Sequence, residues 1–87
     1  MTCFVYVIGS ATDVAAGGAY RTYVGWTVDL DRRLNAHNTG AGARSTRGRT
    51  WALLYAEAYM NRGEAMSREW HIKRDRKFRK LLSEGQT

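Results

Sequence analysis

Apolar and polar positions change period several times along the chain, and each change predicts an element. From Cys3 to Ser10 the run CFVYVIGS is apolar at both alternate sets of positions and rich in β-branched and aromatic residues. That is the pattern of a strand covered on both faces. ATDVAAGG, Ala11 to Gly18, is small, polar and glycine-ended, and predicts a loop. AYRTYVGWT then alternates, with Tyr20, Thr22, Val24 and Trp26 on one face and Arg21, Tyr23 and Gly25 on the other. The short connection between the two runs predicts an antiparallel hairpin with a long tip.

Beyond Trp26 the period lengthens to that of a helix. Thr27 or Asp29 is a suitable cap, and DLDRRLNAHN puts Leu30, Leu34 and Asn38 on related faces. TGAGARSTRGRT is a Gly/Ser/Thr-rich basic loop, and TWALLYAEAYM returns to strand composition. Asn61 caps a second helix, with Glu64 at the reciprocal capping position. In RGEAMSREWHIKRD, Ala65, Met66, Glu69, Trp70 and Lys73 fall near one stripe, which predicts the packing face. RKFRKLLSEG either continues that helix or forms a third, anchored by Phe78, Leu81 and Leu82 and stopped by Gly85. The expected order is β-β-α-β-α-α: an α+β fold with a three-stranded antiparallel sheet flanked by helices, as a single domain over residues 1–87.

Composition then narrows the classes of function. The hydrophobic share of 44% suits a folded domain, and a chain of 87 residues has a modest core. The lone Cys3 and two distant histidines exclude a disulfide framework and a multi-ligand zinc site. No basic region precedes the first apolar run, which is too short to span a membrane, so a cytoplasmic protein without membrane attachment is expected. Net charge is the informative quantity. Fourteen Lys and Arg against eight Asp and Glu give +6, which favours a polyanionic partner.

Several residues have two readings when taken singly. Glu69 can pair with Lys73 four residues on, or serve as a hard oxygen ligand for Mg²⁺. Arg33 and His37 share a helix face. Arg33 can pair with Asp29 while His37 stands in solvent, or both can point at a common site. Tyr6 and Tyr23 fit the role of amphipathic core residues on adjacent strands. Gly25 within a strand marks a bulge or a close backbone approach, and Asn38 suits a helix C-terminus before Thr39-Gly40.

Taken in order, these residues resemble the GIY-YIG nuclease domain family. FVY (Phe4 to Tyr6) corresponds to the first half-motif and YVG (Tyr23 to Gly25) to the second. RRLNAHN then supplies Arg33, His37 and Asn38, and EAMSREWHIK supplies Glu69. The resemblance runs from about Cys3 to Leu82. It is greatest to the small stand-alone bacterial members, described as predicted endonucleases. It extends to the catalytic domain of Slx-type nucleases and, more distantly, to the N-terminal domain of the bacterial excision-repair nuclease. Phe4 stands where the first glycine of the motif would be. Trp26 replaces a lysine that excision-repair relatives carry, so any proton-handling role of that lysine is absent. The hairpin loop Ala11 to Gly18 is longer than a minimal member needs.

The resemblance implies a metal-dependent endonuclease acting on DNA, with RNA the other candidate, in repair or recombination. Tyr6, Tyr23, Arg33 and His37 would be catalytic. One Mg²⁺ or Mn²⁺ would be held by Glu69, with Gly25 and Asn38 shaping the site. Arg33 offers a planar fork that matches phosphate. A phenol with its ordinary pKa near 10 is a costly base at neutral pH, so Tyr23 and His37 are read as a coupled pair. Arg44, Arg47 and Arg49 in the loop, and Lys73 on the helix, suit phosphate-backbone contacts without base reading. The alternatives are a nucleic-acid-binding module of the same fold without useful turnover, and a domain that docks onto a repair-protein partner.

Overall fold

The computed structural model describes residues 1–10 and 21–84. The expected hairpin loop, Tyr20 and the stop at Gly85 lie outside the described residues. The described residues form three strands, β1 (Cys3–Ser10), β2 (Arg21–Thr27) and β3 (Ala52–Tyr59), and three helices, α1 (Leu30–Asn38), α2 (Arg62–Arg74) and α3 (Arg76–Glu84). A short 3₁₀ turn at Arg44–Thr46 interrupts the connection between α1 and β3. The order is β-β-α-β-α-α, an α+β fold, as the patterning predicts.

β1 is the middle strand of a three-stranded sheet ordered β2-β1-β3, and it is antiparallel to both neighbours. Its central position explains why both alternate sets of its residues are apolar. Val5 and Val7 face one layer and Tyr6 and Ile8 the other. On the first face Cys3, Val5, Val7 and Val24 pack with Ala65 and Ile72 of α2, joined by Phe78 and Leu82 of α3. On the second, Tyr6 and Ile8 pack with Trp51, Tyr23 and the α1 residues Leu30 and Leu34. Two thin apolar layers on one sheet suit a chain too small for a single deep core.

The helix ends obey local chemistry. Asp29 caps α1 by accepting the Arg32 amide at 3.1 Å, and Thr27 accepts the Asp29 amide at 3.2 Å, so both candidates act at one junction. Asn61 caps α2 by accepting the Glu64 amide at 2.9 Å. The Glu64 carboxylate accepts from the Asn61 side-chain amide at 2.7 Å, a variant of the reciprocal pairing expected. Asp75 breaks the long basic helix. It accepts the Phe78 amide at 3.0 Å and so starts α3 as a separate helix.

Two expected packing residues prove to be misassigned. Ala65 and Ile72 are the buried residues of α2, whereas Met66 and Trp70 are 47% and 52% exposed. The buried positions of α2 are thus seven residues apart, with half-buried Glu69 and Arg68 between them. In α3 Leu81 is exposed, and Ser83 takes the inward position beside Phe78 and Leu82.

Candidate active site

Tyr6 lies mid-strand on β1, directly opposite Gly25 of β2. A Cβ at Gly25 would sit 2.5 Å from the Tyr6 hydroxyl. The phenol therefore crosses the neighbouring strand through space that only glycine leaves open. α1 brings two more groups to it. His37 Nε2 lies 2.8 Å from the Tyr6 hydroxyl, and Arg33 Nε donates to the same oxygen at 3.4 Å. Tyr23 completes the cluster with its ring 4.9 Å from that of His37 and 6.5 Å from that of Tyr6, centroid to centroid. Tyr6 is 2% exposed and His37 0%, while Tyr23 and Arg33 are half-buried and face outward from the pair.

The direction of the hydrogen bonds follows from counting protons. Thr46, fully buried, has one hydroxyl proton and gives it to the Ala43 carbonyl at 2.7 Å. At 2.9 Å from His37 Nδ1 it is therefore the acceptor, and Nδ1 carries the imidazole proton. Nε2 then has a lone pair, and Tyr6 donates to it. Burial, followed by the nearby Arg33 charge, holds the His37 pKa below its ordinary value, so the ring is neutral at pH 7. Burial also raises Tyr6, against the lowering effect of Arg33, and the charges of Tyr23 and Glu69 push it further up. The result is a neutral phenol donating to a neutral imidazole beside a guanidinium.

The structure revises three readings of single residues. His37 is buried and bonded at both ring nitrogens, not idle in solvent. Asp29 is used as a helix cap, and among the described residues no carboxylate forms an ion pair with Arg33. The hydrogen-bonded partner of His37 is Tyr6, whereas Tyr23 only packs on the ring.

Glu69 stands on α2, which packs on the other sheet face, and its charge has only a minor raising influence on the Tyr6 phenol. Its side chain is mostly covered, and its ion pair is with Lys73 at 3.7 Å. The ion pair with Lys73 is the reading of this residue that the structure shows. No group of three metal-ligating side chains occurs among the described residues. A single carboxylate still suits Mg²⁺, which keeps most of its coordination as water.

The remaining candidates divide. Asn38 grips the backbone of Trp51, donating to its carbonyl at 3.0 Å and accepting its amide at 2.5 Å, and so fixes where β3 begins. Arg44 and Arg47 are exposed on either side of inward-facing Thr46, and Arg49 is half-buried. Lys73 is exposed beside Glu69. Sequence reasoning missed Thr46 and Gly42. A Cβ at Gly42 would lie 2.5 Å from His37 Nδ1, so the loop can close over the imidazole only with glycine there. Both were hidden in a stretch read only for its arginines.

Two tyrosines on adjacent strands thus meet an arginine and a histidine from the following helix. The chain belongs to the GIY-YIG catalytic domain family, which matches residues 2–81. It is 48% identical over 60 residues to a UPF0213 protein of Clostridium perfringens, covering 68% of this chain and 64% of that one. It is 45% identical over 60 residues to a UPF0213 protein of Oceanobacillus iheyensis, covering 68% and 70% of the two chains. The alignment thus spans just under two thirds of the Clostridium relative. A solution structure of a UPF0213 protein from Bacillus halodurans is 37% identical, covers 95% of this chain and 84% of that one, and superposes with a TM-score of 0.48. Membership makes this a nuclease-type domain, a class whose members act on nucleic acid and generally depend on a divalent metal. No helix among the described residues is long and apolar enough to cross a membrane.

Proposed function

We propose that this chain is a metal-dependent endonuclease that hydrolyses phosphodiester bonds in structured or damaged DNA, acting in the cytoplasm as one domain over residues 1–87. The observation that carries the reading is the Tyr6–His37 pair beside an arginine with no carboxylate partner among the described residues. Arg33 is free to turn its fork to the non-bridging oxygens of a phosphate, where fixed positive charge lowers the barrier.

The pair also answers the difficulty of a phenolic base. Forming a free phenolate at pH 7 costs about 4 kcal/mol. Tyr6 avoids this by passing its own proton to His37 Nε2 as its oxygen takes one from the attacking water. The phenol ends neutral, the imidazole ends charged, and Thr46 still accepts from Nδ1. The hydroxide attacks phosphorus, the bridging P–O bond breaks, and the departing oxygen takes a proton from solvent. Tyr23, the more exposed phenol, orients the water and the phosphate. Glu69 would hold Mg²⁺ or Mn²⁺, which when bound supplies Lewis-acid stabilisation of the phosphate and the departing oxygen. Arg44, Arg47, Arg49 and Lys73 add backbone contacts that make binding salt-dependent.

The test is the purified chain with Mg²⁺ or Mn²⁺ on a panel of duplex, flap, branched and single-stranded DNAs and matching RNAs. Metal-dependent nicking, abolished by Glu69→Gln and Tyr6→Phe, is the expected result. Salt-sensitive binding without cleavage, indifferent to Glu69→Gln, would instead make it a binding module. Neither binding nor cleavage, with a repair protein recovered in a pull-down, would make it a docking domain.

A further inference from the structure

The site leaves one large side chain without a role. Trp70 follows Glu69 directly on α2, and its indole is kept out of the core, 52% exposed. Its neighbours hold it in place. The Arg74 guanidinium lies 3.7 Å from the ring centroid, and Arg74 Nη1 donates to the Trp70 carbonyl at 3.2 Å, which keeps the cation on one face of the ring. The His71 ring meets the indole edge-on with centroids 5.0 Å apart. The chain around and after Trp70 is rich in cations: Lys73, Arg74, Arg76, Lys77, Arg79 and Lys80, all but Arg79 exposed, with Lys73 paired to Glu69 at 3.7 Å and Lys80 to Glu84 at 3.9 Å. Arg79 is half-buried and committed to Thr22 and to the Lys73 carbonyl.

A fixed aromatic plate among cations is complementary to a polymer that alternates negative charge with flat apolar rings. We propose that Trp70, backed by Arg74, is a stacking platform for an unpaired base of the bound nucleic acid. This rests on the nuclease reading and specifies its substrate. Base faces inside an intact duplex are covered by their neighbours, so the indole can engage only a base already free or cheaply unstacked. Flaps, gaps, frayed ends and single strands meet that condition. The cation behind the indole adds to its attraction for a stacked ring without reading base identity. An anionic bilayer would also accept a tryptophan among cations. With a guanidinium already 3.7 Å from its centroid on one side, the indole offers a single flat face, which suits a stacked base and not insertion among acyl chains.

The experiment is fluorescence-anisotropy titration of labelled oligo-dT and of a DNA hairpin whose paired strands are joined by a base-free ethylene-glycol linker, in EDTA and at fixed salt, so that no turnover is required. Trp70→Ala is expected to weaken oligo-dT binding about tenfold or more while leaving hairpin binding unchanged. Trp70→Phe is expected to retain most of the affinity, and thermal unfolding of both variants should match the parent. Equal loss on both DNAs, or no loss on either, overturns the platform. So does loss of binding to phosphatidylglycerol vesicles with oligo-dT binding intact. Failure of the nuclease reading looks different: the Trp70 effect on oligo-dT would persist in a protein that never cleaves.

Discussion

Two clusters on opposite faces of the sheet are built from almost the same side chains and come to different ends. Beneath α2, Tyr55, Tyr59 and Arg68 surround Glu57. Beneath α1, Tyr6, Tyr23 and Arg33 surround His37. In the first, Arg68 donates to both Glu57 oxygens at 3.0 to 3.2 Å and both phenols donate to the same carboxylate, so the positive charge is neutralised in place. In the second the fourth member is a neutral imidazole. It accepts the Tyr6 proton and leaves the arginine charge uncompensated within the cluster. Exchanging a carboxylate for an imidazole converts a self-contained structural network into one with positive charge and a proton-accepting route to offer a phosphate.

The largest expected effect tests that contrast directly. Arg33→Ala should lower cleavage about 10²–10³-fold, the scale of a lost charge donor at a reacting phosphate, with a small change in unfolding midpoint. Arg68→Ala should do the reverse. It strands the Glu57 carboxylate and is expected to cost about 2–3 kcal/mol of stability, with cleavage per folded molecule retained. Parallel kinetics and urea melts read both, and equal destabilisation by the two variants would dissolve the distinction.

Gly25→Ala probes the crowding that only the Tyr6 cluster has. The new Cβ would lie 2.5 Å from the Tyr6 hydroxyl and 2.7 Å from Cζ, and the phenol is held by His37 on its far side. Overpacking of this kind costs about 1–3 kcal/mol. Adding Tyr6→Phe removes the nearest atom, so the double variant should recover part of the lost stability and none of the cleavage.

These contrasts show what was legible before any coordinates. Strand and helix order followed from period, because β1 had to be covered on both faces and Asp29 and Asn61 are chemically suited to start helices, whereas the break at Asp75 that separates α3 emerged only from the structure. Tyr6, Tyr23, Arg33 and His37 were joined in the sequence by the family resemblance, and they converge because adjacent strands carry the phenols while Arg33 and His37 lie one turn apart on α1. The α2 packing stripe was misread. Met66 and Trp70 are apolar but stand on the side that neither sheet nor α3 covers, and hydropathy does not know which side a partner takes. The Tyr6–His37 bond was equally invisible. Thr46 sits nine residues from His37 within a loop, and no periodicity links a loop hydroxyl to a helix imidazole. The Glu57 network escaped for the same reason, since Arg68 lies on another element.

The two clusters should also separate by pH. Partial burial pushes the Glu57 carboxyl up, but the bonds from Arg68, Tyr55 and Tyr59 outweigh it and bring it from 4.5 to about 2. A depressed carboxyl contributes fully above its unfolded value and loses that contribution as pH falls from 4.5 through 2. Glu57→Gln should therefore cost about 2 kcal/mol at neutral pH and nearly nothing at the acid end. His37 acts in a higher window. Its pKa is held below 6.5, so the unfolded chain takes up the proton first and stability falls as pH drops from 6.5 toward the lowered folded value. Urea melts across pH should show His37→Gln flattening the upper part of the profile and Glu57→Gln the lower part.

The smallest effect tests the proton count that makes the imidazole cluster work. Thr46→Val keeps the side chain's shape but removes the acceptor facing His37 Nδ1 and the donor to the Ala43 carbonyl. An imidazole with no acceptor at Nδ1 loses its reason to carry the proton there. If the proton moves to Nε2, the Tyr6 hydroxyl changes from donor to acceptor and the relay is reversed. Cleavage should fall about tenfold, the scale on which hydrogen-bonding partners of a site histidine act, while Thr46→Ser restores it. Ring ¹⁵N chemical shifts of His37 supply the decisive readout, because they report the tautomer whether or not the protein turns over. The parent and Thr46→Ser should show a protonated Nδ1 and a bare Nε2, and Thr46→Val should shift toward the opposite form. A parent ring already protonated at Nε2 would mean that Tyr6 cannot hand its proton to His37, and the difference drawn between the two faces of the sheet would then rest on Arg33 alone.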